Sequence, residues 1–81
     1  MNITVYTTTT CPYCEMLMDY LNEKGVKYIK KLVDEDVVAK KEMVEISDGF
    51  LGVPYTVVKR NGKIETIIGF NKNRLEDILG Q

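Results

Sequence analysis

Residues 7–14 read TTTTCPYC, and this stretch decides how the rest of the chain is interpreted. Before it, residues Asn2 to Thr7 alternate apolar and polar side chains with β-branched and aromatic types, which is typical of a β-strand. After it, apolar residues recur on one face of a helix from Pro12 to Lys24, namely Cys14, Leu17, Met18 and Leu21. Proline suits the first helical position because the N–H that it lacks would be unpaired there. The stretch therefore predicts a strand-to-helix junction with Cys11 at the helix N-cap.

The next two elements follow directly along the chain. Gly25 is placed to end the first helix, and residues Val26 to Val33 again look like a strand. Since a helix separates the two strands, we expect them to pair in parallel through a right-handed crossover. Asp34 or Asp36 is expected to cap a second helix that ends at Asp48-Gly49. The apolar stripe of this helix is predicted to be Ala39, Met43 and Ile46.

The second half of the chain contains a hairpin. Asn61-Gly62 is a strong signal for a two-residue turn, and it joins two strand-like segments, Tyr55–Lys59 and Lys63–Ile68. A last helix is predicted over Asn73–Leu79, with Asn73 and Glu76 as a capping pair. One parallel crossover and one hairpin imply an α/β protein with a four-stranded mixed sheet flanked by three helices, in the order β-α-β-α-β-β-α. This is the architecture of the thioredoxin-like fold.

Size and composition narrow the classes of function. At 81 residues, the chain is expected to form a single domain over residues 1–81 and to be a monomer. The formal net charge of −1 does not provide the basic surface that nucleic-acid binding requires. The N-terminus lacks the charged start and apolar run of a signal peptide, and no apolar run approaches the roughly 20 residues that span a bilayer. We therefore expect a cytoplasmic protein that binds neither nucleic acid nor membrane.

The two cysteines are the candidates for chemistry. Thiolates, not thiols, attack disulfides, so a reactive cysteine must hold a negative charge near neutral pH. At the N-cap, the sulfur of Cys11 faces the free N–H groups of Tyr13 and Cys14, which together with the helix dipole lower the pKa of this thiol below its ordinary value of about 8.5. Cys14 lies one turn into the helix on its apolar face. We therefore predict Cys11 as the attacking thiolate and Cys14 as the resolving thiol.

Other uses of the cysteine pair are less favourable. A structural disulfide that closes so short a loop adds little stability, and the cytoplasm disfavours it. A structural zinc site usually takes four Cys or His ligands, whereas the chain has two cysteines and no histidine, so no metal is expected. The absence of histidine also rules out a Cys–His pair of the protease kind. Redox chemistry is the remaining interpretation.

Three landmarks in the same order resemble the glutaredoxin family: Cys11-Pro12-Tyr13-Cys14, then Gly52-Val53-Pro54, then Ile68-Gly69-Phe70. The resemblance covers nearly the whole chain. It implies that Pro54 is cis and lies against the cysteines, that the backbone of Val53 pairs with a bound peptide such as glutathione, and that Tyr13 lines the glutathione groove. From the residues alone, Pro54 is equally well a proline at the start of a strand, and Tyr13 a half-buried helix residue.

The chain departs from the glutathione-binding members of that family at several positions. Thr8 stands where many of them carry a lysine, three residues before the nucleophile. Gly69-Phe70 and Lys72-Asn73 stand where those members have Gly-Gly and Thr-Asp, which hold the γ-glutamyl end of glutathione. Lys72 can replace the missing lysine as the partner of a glutathione carboxylate. The glutathione-binding residues implied by the resemblance are therefore Tyr13, Val53, Pro54, Gly69, Phe70 and Lys72.

The resemblance implies a glutathione-dependent oxidoreductase whose partners are glutathione, as co-substrate, and disulfide-containing proteins. A first alternative is suggested by Gly69-Phe70, which looks like the redoxins that reduce ribonucleotide reductase and are themselves reduced by a flavoprotein, thioredoxin reductase. A second alternative, of another class, is a dimer that shares an iron–sulfur cluster through Cys11 and glutathione, as some relatives do. Pro12 in the motif is expected to disfavour cluster binding.

Overall fold

The computed structural model describes residues 2–50 and 52–79. Its elements follow one another in the order predicted from the sequence. They are β1 (Asn2–Thr7), α1 (Pro12–Glu23), β2 (Ile29–Leu32), α2 (Val37–Ser47), β3 (Tyr55–Arg60), β4 (Lys63–Ile68) and α3 (Lys72–Leu79). None of the described helices is long and apolar enough to cross a membrane.

The strands form a mixed four-stranded sheet in the order β2-β1-β3-β4. Strand β1 pairs in parallel with β2 and antiparallel with β3, and β3 pairs antiparallel with β4. The predicted hairpin turn is confirmed, because Asn61 and Gly62 have φ angles of 50° and 77°. Positive φ at both central residues is the requirement of a type I′ turn, which glycine and asparagine meet at the lowest cost.

Apolar side chains alternate along the strands, so the core has two layers, one on each face of the sheet. Helices α1 and α3 cover one face, and α2 covers the other. The first layer contains Ile3, Val5, Leu17, Leu21, Val58, Ile67, Leu75 and Ile78. The second, smaller layer contains Tyr6, Met43, Tyr55 and Val57.

Strand β2 is shorter than the predicted Val26–Val33. The N–H of Val26 donates to the carbonyl of Leu21 at 3.0 Å, and the N–H of Gly25 donates to Asn22 at 3.1 Å. Together with the φ of 70° at Gly25, these bonds form the Schellman motif that ends many helices. Val26 therefore belongs to the end of α1 and cannot begin the strand, which starts only at Ile29.

The helix ends also correct two details of the prediction. Helix α3 begins at Lys72, and its cap is Asn71, whose side-chain oxygen accepts the N–H of Arg74 at 3.1 Å. Asn73 lies inside the helix, so the predicted Asn73/Glu76 capping pair is wrong. In α2, Ala39 and Met43 are buried as predicted, whereas Ile46 is 40% exposed. The carboxylate that caps α2 is Asp36.

Candidate active site

Cys11 is the N-cap residue of α1, as predicted. Its backbone is extended, with φ −139° and ψ 101°, and Pro12 is the first helical residue. The sulfur accepts a hydrogen bond from the backbone N–H of Cys14, with 3.2 Å between Sγ and N. The two cysteines are joined as a disulfide, and their Cα atoms are 5.2 Å apart. The geometry therefore places a helix N–H donor and the positive end of the helix dipole at the sulfur of Cys11.

The two sulfurs differ in how an incoming molecule can reach them. Cys14 is 1% exposed, on the face of α1 that packs on the sheet, whereas Cys11 is only partly buried. Tyr13, between them, is 64% exposed. An external disulfide can thus reach the sulfur of Cys11 first. The buried sulfur of Cys14 is placed to attack a sulfur already bonded to Cys11.

The second and third landmarks meet at the same end of the sheet. In the strand register, Tyr55 lies opposite Tyr6 of β1 and opposite Ile68 of β4. The residues just outside these pairs are therefore neighbours in space. The N–H of Gly69 donates to the carbonyl of Pro54 at 2.8 Å. The loop that carries Cys11 leaves β1 at this same end.

The peptide bond between Val53 and Pro54 is cis, as the resemblance implied. Pro54 is buried and Val53 is partly exposed. Since β3 begins only at Tyr55, Val53 lies just outside the strand. A backbone in this position, beside a sheet end, can pair with an extended peptide.

Phe70 and Lys72 lie beside α1. The Phe70 ring packs edge-on against Tyr20 of α1, with 6.0 Å between ring centroids, and the ammonium of Lys72 lies 5.9 Å from the centroid of Phe70. In residues 2–50 and 52–79, no hydrogen bond or ion pair joins Lys72 to the cysteine pair. Lys72 is exposed, so its ammonium is available to an anionic ligand.

One contact beside the nucleophile was not foreseen from the sequence. The carboxylate of Asp34 accepts two hydrogen bonds from Thr9, one from the backbone N–H at 3.0 Å and one from the hydroxyl at 2.7 Å. These hydrogen bonds lower the pKa of Asp34 from its ordinary value. The available signal was that Thr9 and Asp34 follow the carboxyl ends of neighbouring parallel strands. Within the described ranges, no three His, Cys, Asp or Glu side chains cluster as metal ligands would.

Comparisons with known proteins agree with this geometry. The family model for glutaredoxin matches residues 3–63. A glutaredoxin-like 8.6 kDa protein from the rubredoxin operon of Clostridium pasteurianum is 34% identical over 77 residues, which cover 95% of this chain and 96% of that protein.

Two solved structures share the architecture. The crystal structure of a thioredoxin-like protein superposes with a TM-score of 0.83 at 26% identity, over 98% of this chain and 100% of the other. The NrdH-redoxin of Escherichia coli, described as a glutaredoxin-like protein with a thioredoxin-like activity profile, superposes with a TM-score of 0.77 at 20% identity, over 96% and 95% of the two chains. The fold is thus thioredoxin-like. The chain belongs to the glutaredoxin family of thiol–disulfide oxidoreductases.

Proposed function

We propose that this protein reduces disulfides and glutathione mixed disulfides through a mixed disulfide on Cys11, with glutathione as the electron donor. The observation that carries the proposal is the unequal environment of two adjacent sulfurs. The sulfur of Cys11 is partly exposed and accepts a helix N–H, whereas Cys14 is buried one turn further along. This arrangement stabilises a thiolate at the exposed sulfur and withholds the second thiol until it is needed.

In the first step, the reduced protein supplies the nucleophile. The Cys11 thiolate attacks one sulfur of a substrate disulfide, so that the bond from Cys11 to that sulfur forms as the substrate S–S bond breaks. The other substrate sulfur leaves as a thiolate and takes a proton from water. The N–H of Cys14 stabilises the negative charge on Cys11 before the attack.

The second step releases the bound half of the substrate. The Cys14 thiol gives its proton to solvent and attacks Cys11, so the Cys11–Cys14 disulfide forms and the second substrate thiolate leaves. Overall, the substrate gains two electrons and the protein loses two. Two molecules of glutathione then reduce the protein disulfide in turn, and they leave as one molecule of glutathione disulfide.

The residues around the cysteines support a peptide-like thiol as the donor. Tyr13 presents an exposed ring beside Cys11, and Val53 precedes the strand at the sheet end where the loop begins. Lys72 can pair with a glutathione carboxylate. The N–H of Gly69 donates to the carbonyl of Pro54, which keeps the start of the segment that carries Phe70 and Lys72 close to the sheet. These residues form the proposed glutathione groove.

A second candidate has a different electron source. In it, a flavoprotein such as thioredoxin reductase reduces the Cys11–Cys14 disulfide, and ribonucleotide reductase receives the electrons. Two observations favour it: Thr8 stands where many glutathione-binding members have a lysine, and the loop before Cys11 is held by a carboxylate, Asp34. Both make the site less attractive to a tripeptide with a net negative charge.

One experiment separates the two candidates. The initial rate of reduction of a glutathionylated peptide is measured with glutathione plus glutathione reductase in one assay and with thioredoxin reductase in the other. The proposal expects turnover in the first assay. Turnover in the second assay alone would replace it with the reductase-linked candidate, and reduction in neither assay would contradict both.

A further inference from the structure

Among the described residues, the loop that carries the nucleophile makes long-range hydrogen bonds only through Thr9. Residues 8–11 connect β1 to α1, and the long-range hydrogen bonds that the structure describes for this loop both go from Thr9 to Asp34, 25 residues away. Asp34 itself is well fixed, because the N–H of the preceding Val33 donates to the carbonyl of Thr7 at 2.9 Å. The loop is thus held against the sheet immediately after β1 ends.

We propose that Asp34 is a positioning residue for Cys11. Its carboxylate holds Thr9 through two hydrogen bonds and so keeps Cys11, two residues later, in the extended N-cap conformation. In that conformation the sulfur of Cys11 accepts the N–H of Cys14, at 3.2 Å. The inference rests on the proposed function to the extent that Cys11 must be the nucleophile. It is independent of the electron donor.

The chemistry of the pair suits this task. A carboxylate that accepts both a backbone N–H and a hydroxyl from one residue fixes the direction of the loop as well as its distance. An aspartate is ionised near neutral pH, and the hydrogen bonds from Thr9 lower the pKa of Asp34 further. The turn that contains Asp34 is closed by the N–H of Asp36, which donates to Leu32 at 2.8 Å. Asp34 therefore has a rigid base from which to hold the loop.

Charge alone predicts the opposite effect from positioning. A carboxylate near Cys11 repels its thiolate, so removing a charge at residue 34 would lower the pKa of Cys11 if electrostatics dominated. Positioning predicts that the pKa of Cys11 rises, because the sulfur loses the N–H of Cys14. Glu35 is the matched control: it carries the same charge one residue along, and its side chain makes no hydrogen bond among the described residues.

The test measures how fast iodoacetamide alkylates Cys11 as a function of pH, in reduced protein that carries Cys14→Ala so that only one thiol reacts. Asp34→Ala is expected to raise the apparent pKa of Cys11 and to lower the alkylation rate at about pH 6 by roughly tenfold, because a smaller fraction of the thiol is ionised. Glu35→Ala is expected to leave both the apparent pKa and this rate unchanged. Circular dichroism shows whether each variant is folded.

Variants of Thr9 test the same contact from the other side. Thr9→Ser keeps both hydrogen bonds and is expected to react like the parent, whereas Thr9→Val loses the hydroxyl bond and is expected to react more slowly. Adding Thr9→Val to Asp34→Ala should cause little further loss, because the partner is already gone. If Asp34→Ala fails to fold, the Thr9 variants still test whether the contact between Thr9 and Asp34 affects the reactivity of Cys11.

The outcomes for the inference and for the proposed function are distinguishable. If the parent Cys11 titrates like an ordinary thiol, near pH 8.5, the proposed function and the inference that rests on it both fail. If the parent has an activated Cys11 and the Asp34→Ala and Thr9→Val profiles coincide with it, the inference alone is overturned. A lower apparent pKa in Asp34→Ala would likewise overturn it in favour of simple repulsion.

Discussion

The starts of α1 and α2 have the same backbone geometry and different acceptor atoms. Cys11 and Asp36 are both extended N-cap residues, with φ, ψ of −139°, 101° and −112°, 107°. The carboxylate of Asp36 accepts two N–H groups, from Val38 at 3.0 Å and from Ala39 at 3.2 Å. The sulfur of Cys11 accepts one, from Cys14 at 3.2 Å. The same helix position thus holds a carboxylate in one helix and a cysteine sulfur in the other.

The carboxylate cap of α2 contributes to stability, whereas the sulfur cap of α1 contributes to reactivity. A carboxylate is among the best N-caps and stabilises a helix by about 1 kcal/mol, and it undergoes no chemistry there. Sulfur is a weaker acceptor, so α1 gains less from its cap. The same N–H and dipole that would have stabilised the helix instead stabilise the charged form of a nucleophile.

The largest effect is expected from Cys11→Ser. Disulfide reduction should fall to the uncatalysed rate, because a serine hydroxyl is not ionised near neutral pH and cannot form the mixed disulfide. The fold should survive, since serine is a strong N-cap. Urea unfolding is expected to show that the variant is more stable than the reduced parent, by up to about 1 kcal/mol, because serine is the better N-cap. Residual turnover would contradict the assignment of Cys11 as the nucleophile.

Cys14→Ser should have a selective effect. Reduction of glutathione mixed disulfides should continue, because glutathione can release the product from Cys11 without a resolving thiol. Reduction of a protein disulfide should fall sharply, because the mixed disulfide can no longer be resolved by the buried sulfur. The measurement compares both substrates in the glutathione-coupled assay. Equal loss on both would contradict the monothiol route.

Asp36→Ala should affect stability and leave the chemistry unchanged. Loss of a carboxylate N-cap that accepts two N–H groups is expected to cost about 1 kcal/mol of unfolding free energy, measured in urea. The alkylation rate of Cys11 should stay at the parent value. Glu35→Ala, which removes a neighbouring charge that caps nothing, is the control and should be near neutral. A large drop in Cys11 reactivity would contradict the separation of the two caps.

The smallest effect concerns Asp34 and acid. Hydrogen bonds from Thr9 lower the pKa of this carboxyl from its ordinary value of 3.8. The folded state therefore favours the ionised form, and the resulting stabilisation is present above about pH 4 and lost as the pH falls through the lowered pKa. The difference in unfolding free energy between the parent and Asp34→Asn should be constant near neutral pH and shrink in acid. A difference in unfolding free energy that does not change with pH would contradict this prediction.

The parts of the fold that the sequence predicted are those with strong local signals. Asn61-Gly62 forms the hairpin turn because both residues tolerate positive φ, which depends on these two residues alone. Pro12 marks the first turn of α1, which placed Cys11 at the cap before any contact was known. The crossover between β1 and β2 followed from a helix lying between two strands. Each of these depends on a few neighbouring residues.

The errors arose where a tertiary or capping contact competed with the pattern. Val26 has a strand-forming side chain, yet its N–H completes the end of α1. Asn71 and Asn73 are equally good caps by type, and the one that begins α3 depends on where β4 ends. Ile46 lies on the predicted stripe but is 40% exposed, near the C-terminal end of α2.

The candidate site, too, could be predicted from the sequence only in part. The cysteine pair and the cis Pro54 could be located from the motif and the family resemblance. The pairing of Thr9 with Asp34 was not predicted, because parallel pairing of β1 and β2 brings the two loops to one sheet end but only the strand register sets which residues meet. Of the two candidate caps, Asp36 directly precedes Val37 and caps α2, whereas Asp34 accepts hydrogen bonds from Thr9.

The central claim is that the sulfur at the cap of α1 is the activated nucleophile. The most direct test is to alkylate the reduced parent protein with limiting iodoacetamide at about pH 6, well below the ordinary thiol pKa of about 8.5, and to locate the label by mass spectrometry. The account predicts that the label is found on Cys11 and hardly at all on Cys14. Labelling of Cys14 first, or of neither thiol until the pH approaches that of an ordinary thiol, would contradict it.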